Sequence, residues 1–227
     1  MLSNTAILFF YQNPEFEKKN LGVKRQQFFH YQNNRILKEL KKSGFKFFCY
    51  DESKQRGQTF AERYLNAIDD VFKLGYKKVI SIGNDSPHLN TNHLNQAALD
   101  LQKKDMCFGP SYDGGFYLWG LNHSCFDKEA FSQLNWQSST ILDEINNIAV
   151  IHKQSYSLLE KLIDIDTQAD VDLILTSEKK LSTLITFLLS AMLSVNRLAQ
   201  DCHNSRLLKS NTPIYYNKGS PLDVVFQ

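Results

Sequence analysis

KVISIGNDSP, residues 78–87, starts as a five-residue strand candidate, KVISI, that stops abruptly on Gly83 and opens into a polar loop holding Asp85. Open parallel sheets take their ligands where loops leave the carboxyl ends of the strands, and Asp85 stands at such an end. An aspartate between a glycine and a Ser-Pro turn reads in two ways. One is a hydrogen-bonded loop cap; the other is a carboxylate aimed at a divalent cation, the hard-oxygen chemistry Mg²⁺ or Mn²⁺ needs when it holds a diphosphate.

Working outward, strand-length runs alternate with stretches of helical period. Upstream, Thr59–Leu74 places Phe60, Tyr64, Ala67, Ile68, Val71 and Phe72 on one face and is stopped by Gly75. Further back lie strand candidates Thr5–Tyr11 and Lys46–Tyr50, separated by a helix over Gln26–Ser43 with Gly44 at its C-terminal cap. Downstream, the spacing predicts a helix over Thr91–Lys103 and a short strand, Met106–Phe108. This alternation implies a three-layer α/β/α architecture around a mostly parallel sheet. The next stretch, GPSYDGGFYLWG (109–120), uses four of the chain's 10 glycines. Gly114 and Gly115 are expected to let backbone amides and a substrate come within contact distance of Asp113, against the plainer reading of a glycine-containing hairpin bend. Two acidic loops, each after a short strand and separated by one helix, converge on one edge of such a sheet.

The 227 residues are 42% hydrophobic and 22% charged, the composition of a soluble globular protein. Lys and Arg number 26 against 24 Asp and Glu, a net charge of +2 that does not favour nucleic acid as a partner. Four scattered cysteines, with no C-x-x-C pair, indicate neither a disulfide framework nor a zinc site and suit a cytoplasmic protein. The apolar start of the chain reads as a strand rather than a signal peptide. The histidines show no metal-ligand spacing; His88, beside the Asp85 loop, is a candidate substrate contact. No Gly-x-x-x-x-Gly-Lys-Ser/Thr, Gly-x-Ser-x-Gly or Gly-x-Gly-x-x-Gly motif occurs.

IGNDSPHL (82–89) followed by GPSYDGGFYLWGL (109–121) resembles the bacterial transferase family labelled "glycosyltransferase, radical-SAM/selenodomain-associated", which has the GT-A nucleotide-diphospho-sugar transferase fold. QRGQTFAERYLNAI (55–68), NWQSSTIL (135–142) and DIDTQADVDLIL (164–175) resemble three further segments of that family, so the likeness runs from Gln55 to Leu175. It departs at the N-terminus: the family's Pro-x-x-Gly-x-x-Lys-Thr-Arg-Leu phosphate loop is replaced by NPEFEKKNLGVKRQQ. The resemblance implies a divalent cation, Mg²⁺ or Mn²⁺, held by Asp85 and bridging a donor diphosphate. Asp113 would be a second metal ligand or the base that deprotonates an acceptor hydroxyl. Ser86, Pro87, Gly114 and Gly115 would border the nucleotide, and Arg63 would pair with phosphate or simply be solvated. Lys24 or Arg25, at a helix start, would stand in for the missing loop or form a solvated basic turn. Trp136 and Thr140 would line an acceptor pocket, with core packing the alternative for the tryptophan. Asp166 is expected to cap the helix that follows it.

The implied activity is metal-dependent transfer of a sugar from a nucleotide-diphosphate donor to a small-molecule or glycan acceptor. Nucleotidyl transfer on the same scaffold, and a binding module that has lost its donor loop, are the alternatives. The expected division is a transferase domain over 1–175 and an extension over 176–227. Within the extension, LSTLITFLLSAMLSV (181–195) falls short of the ~20 residues that span a bilayer. It is expected to pack on the domain or to form a homodimer, with attachment to a membrane surface the alternative. NSRLLKSNTPIYYNKGSPLDVVFQ (204–227) reads as an extended tail that is stable only when docked.

Overall fold

The computed structural model describes residues 4–16, 19–21 and 24–193. Strands and helices follow in the order β1 (Thr5–Phe10), α1 (Arg25–Ser43), β2 (Lys46–Tyr50), α2 (Phe60–Lys73), β3 (Lys78–Ile82), α3 (Thr91–Asp100), β4 (Met106–Pro110) and β5 (Phe116–Asn122). After these come α4 (Lys128–Ser132), α5 (Ile141–Ile151), β6 (Tyr156–Leu158) and α6 (Gln168–Thr176), and a last helix over 183–193.

Local chemistry sets the element ends. Thr59 and Glu62 form a capping box at the start of α2, with the Glu62 N–H donating to Thr59 Oγ1 at 3.1 Å. Asn90 caps α3, and its N–H donates to His93 Nδ1 at 3.2 Å. The helix predicted to reach Lys103 stops at Asp100. There the Leu101 carbonyl accepts from Lys78 Nζ at 2.6 Å, while the Lys103 and Lys104 amides both turn back to the Asp100 carbonyl at 2.9 Å.

Among the described residues six strands form one sheet in the order β2-β1-β3-β5-β4-β6. β1 is parallel to β2 and β3, β4 is parallel to β6, and β5 runs antiparallel to both β3 and β4. The sheet is therefore mostly parallel, with one reversed strand inserted through the β4–β5 hairpin.

Alternate side chains of each strand enter different cores, as the pleat requires. Ala6, Leu8, Val79, Phe108, Trp119 and Leu121 pack under α2, α4 and α5 on one face. Ile7, Phe9, Ile80, Ile82, Cys107 and Leu118 pack under α1 and α3 on the other. The result is the three-layer arrangement. A third cluster joins Phe28 and Phe29 of α1 to Val171 and Ile174 of α6 and to Ile185, Leu188, Leu189 and Met192 of the 183–193 helix. The described part of the apolar C-terminal segment thus packs on the chain's own core, leaving Leu184 and Phe187 exposed. Among the described residues no helix is long and apolar enough to cross a membrane. The end of the 181–195 segment and the 204–227 tail lie outside the described residues.

Candidate functional site

Because β1, β2, β3, β4 and β6 point the same way, the loops that leave their carboxyl ends gather at one rim. They enclose a cleft of about 940 Å³, at the upper end of the range typical of small-molecule sites. Gln12 enters from the loop after β1, Glu52 and Gln55 from the one after β2, and Asn84 and Asp85 from the end of β3. The β4–β5 hairpin contributes Ser111 and Asp113, and the segment between β6 and α6 contributes Asp164 and Asp166. Phe10, Phe60, Tyr64, Phe116 and Trp136, in ring-to-ring contact, form an aromatic wall of the same cleft.

One ion-pair cluster in the cleft is centred on a residue that local sequence reading misses. Lys19 places its Nζ 2.5 Å from Asp85 Oδ1 and 2.9 Å from Asp166 Oδ1, and donates to the Ile165 carbonyl at 2.8 Å. The same ammonium lies 5.4 Å from the centre of the Phe29 ring. Burial acts against its charge, but Asp85 and then Asp166 outweigh burial and hold its pKa above the ordinary lysine value. Leu21, fully buried against Phe28 and Phe29, pins the backbone two residues on and so brings Lys19 to the rim.

Asp164 is the second residue that was missed. Ser86 Oγ donates to its Oδ1. Burial foremost, then the negative charge of Asp85 with Asp113 and Asp166 adding to it, pushes its pKa up to about 7 against the opposing Ser86 bond. A carboxyl in this state gains or gives up a proton near neutrality. The folded pKa is raised above the unfolded value of about 4, so the contribution to stability is full below that value and is lost as pH rises through about 7. Between pH 5 and 8 the wild type is expected to lose stability relative to Asp164→Asn in urea unfolding; parallel pH profiles of the two proteins would refute the assignment.

Asp113 sits at the hairpin turn, where its Oδ1 accepts from Ser111 Oγ and from the Gly115 N–H at 3.0 Å. Gly114 has a φ of 92°, and a Cβ there would lie 2.0 Å from the Ser139 carbonyl oxygen. The positive φ and the Ser139 carbonyl together require a glycine at this position, which lies outside the lining of the cleft. Gly115 does lie against Asp113: a Cβ there would stand 3.3 Å from its Oδ1.

Of the residues singled out in the sequence, Asp85, Asp113, Gly115, Arg63, Trp136 and Asp166 line the cleft together. Arg63 donates to the Gln58 carbonyl at 3.0 Å from the exposed start of α2. Trp136 Nε1 donates to the Phe131 carbonyl at 2.8 Å, and its ring packs on Phe60 and Tyr64 in the lining of the cleft.

The others stand elsewhere. Ser86 and Pro87 are buried below the rim. Thr140 precedes α5, where its Oγ1 donates to Glu144 at 2.7 Å. Lys24 and Arg25 begin α1 outside the lining of the cleft, whose basic side chains are Lys19 and Arg63. Asp166 is not the helix cap: Thr167 caps α6 in a box with Asp170, which leaves Asp166 for Lys19. His88 Nε2 meets the Lys179 carbonyl at 3.2 Å, away from the cleft. The pattern DID at 164–166 carried a usable signal, because in extended backbone residues two apart face the same side. No comparable local signal marked Lys19. Among the described residues, no three His, Cys, Asp or Glu side chains are close enough to cage a metal ion by themselves.

Residues 38–138 match the model of a family described as uncharacterized proteins conserved in bacteria (DUF2064). No curated protein matches the sequence. Among solved structures, a protein of Desulfovibrio desulfuricans G20 assigned as a nucleotide-diphospho-sugar transferase aligns at 22% identity with a TM-score of 0.70, covering 86% of this chain and 98% of its own. A 4-diphosphocytidyl-2C-methyl-D-erythritol synthase of Anaerococcus prevotii DSM 20548 aligns at 8% identity with a TM-score of 0.49, over 76% of this chain and 95% of its own. Rv0371c of Mycobacterium tuberculosis H37Rv aligns at 10% identity with a TM-score of 0.47, over 77% and 100%. With its layers, strand order and rim cleft, the chain has the fold of the nucleotide-diphospho-sugar transferases.

Proposed function

We propose that this cleft binds a nucleoside diphosphate sugar together with a divalent cation, Mg²⁺ or Mn²⁺, and transfers the sugar to a hydroxyl-bearing acceptor. The observation that carries the reading is the convergence of Asp85 and Asp166 on a single positive charge at the carboxyl rim of the sheet. The residues suit a hard cation. Four aspartates face the cleft, and their mutual repulsion helps push Asp164 towards neutrality. Mg²⁺ is commonly held by one or two carboxylates plus substrate phosphates, keeping several waters, and so does not need a three-residue protein cage. Asp85 would hold the ion, with Asp166 and Asp113 the carboxylates available to join it. Bound there, it would neutralise the diphosphate and so favour its departure.

The chain's own groups supply the rest. Lys19 offers an ammonium to phosphate oxygens at the place where the family's basic loop is missing, and Arg63 can approach from the rim. Ser111 and the Gly115 N–H engage one oxygen of Asp113 and hold its orientation. Its second oxygen then serves to accept the proton of an acceptor hydroxyl. Asp164 holds or yields a proton beside these groups. The aromatic wall gives flat apolar surface for a base or sugar ring and keeps water from that side.

Thermal unfolding with Mn²⁺ and a panel of nucleotides tests the reading. At about 100 times the dissociation constant, a diphosphate sugar is expected to raise the midpoint by roughly 5–10 °C. A rise with nucleoside triphosphates alone would replace sugar transfer by nucleotidyl transfer. The absence of any rise would leave a binding module without a donor site.

A further inference from the structure

We propose that the Lys19 ammonium is the resident cation of the empty cleft, and that a divalent ion enters only with a diphosphate that draws Lys19 away. This inference rests on the metal-diphosphate reading above and adds the order in which that site fills. The Nζ lies 2.5 Å from Asp85 Oδ1 and 2.9 Å from Asp166 Oδ1, the separation of short charge-assisted bonds. Mg²⁺ bound to the same Asp85 oxygen would lie about 2.0–2.1 Å from it. Two positive charges would then crowd one carboxylate edge, so the ammonium has to leave. Bare metal must displace a charge already satisfied by two carboxylates and the Ile165 carbonyl.

A diphosphate changes the exchange by bringing anionic oxygens of its own. Lys19 carries its charge on a flexible four-carbon stem, while the backbone nearby is anchored by the fully buried Leu21. The side chain can therefore swing from carboxylate to phosphate without moving the fold. Coupling of this kind is reciprocal: whatever factor the diphosphate adds to metal affinity, the metal adds to diphosphate affinity.

Equilibrium dialysis of Mn²⁺ against the full-length protein, with and without inorganic diphosphate, reads this directly. The wild type is expected to bind Mn²⁺ weakly alone and about tenfold more tightly with diphosphate. Lys19→Met and Lys19→Gln are expected to bind Mn²⁺ alone about tenfold more tightly than the wild type and to lose most of the coupling. Lys19→Arg keeps the charge and should keep the block. Far-UV circular dichroism establishes that each variant is folded, and the arginine variant stands if the neutral ones do not fold. Equal Mn²⁺ affinity in wild type and the folded neutral variants, with the wild type still binding the metal-diphosphate pair, overturns the exchange alone. Failure of the wild type to bind the pair overturns the functional reading and the exchange with it.

Discussion

Trp119→Ala is expected to destabilise the protein by about 3–5 kcal/mol, the range for truncating a buried aromatic side chain to alanine. Trp119 lies at the middle of β5 with no solvent exposure. Its ring stacks on Phe108 at 6.2 Å, meets Phe131 edge-on at 5.1 Å and approaches Phe116 at 5.8 Å, so three chain segments lose a common partner. Since ordinary domains are stable by only about 5–15 kcal/mol, this one change removes a large share. The indole nitrogen gives an internal control. Among the described residues it is buried without a hydrogen-bond partner, and an unmet buried donor costs roughly 1–3 kcal/mol. Trp119→Phe removes that donor while keeping an aromatic ring, and should cost far less than the alanine change. Urea unfolding followed by far-UV circular dichroism measures both. A loss below about 1 kcal/mol for the alanine variant would show that the reversed strand does not organise this core.

The same strand shows where sequence reading stops. Strands Lys46–Tyr50 and Lys78–Ile82 are legible to the residue, because each is a short, mostly apolar run that a lysine opens and a polar residue or glycine follows. The reversal of β5 is not written in its own residues, whose alternation serves either direction. It depends on the hairpin at Ser111–Gly115, where the Ser111 N–H donates to the Gly115 carbonyl at 3.0 Å. β6 is three residues long at the sheet edge and offers no period to detect. At the site, Asp85 was visible as a carboxylate at a strand end, whereas its partner Lys19 lies 66 positions away in the chain. Lys24 and Arg25 stand at a legible helix start, but the burial of Leu21 brings the earlier lysine to the rim. The cap of α6 was readable as a Thr-x-x-Asp box, Thr167 with Asp170. That box would have freed Asp166 for its ion pair.

Asp85→Asn carries the largest expected functional effect. The substitution keeps the shape of the side chain and removes the charge that would bind the ion. Asp166 remains, at 2.9 Å, to hold Lys19, so the local structure has a partner to fall back on. Changes that only support a metal ligand cost about 10–100-fold in affinity; loss of the ligand charge itself should reach at least the upper end of that range. The most direct measurement is titration calorimetry of uridine and guanosine diphosphates in the presence of Mn²⁺, on the wild type and Asp85→Asn side by side, with thermal unfolding to establish that both are folded. Saturable Mn²⁺-dependent binding by the wild type, weakened about 100-fold or more in the variant, is the expected result. Equal binding by the two folded proteins would contradict the assignment of this rim as the place where the diphosphate is held.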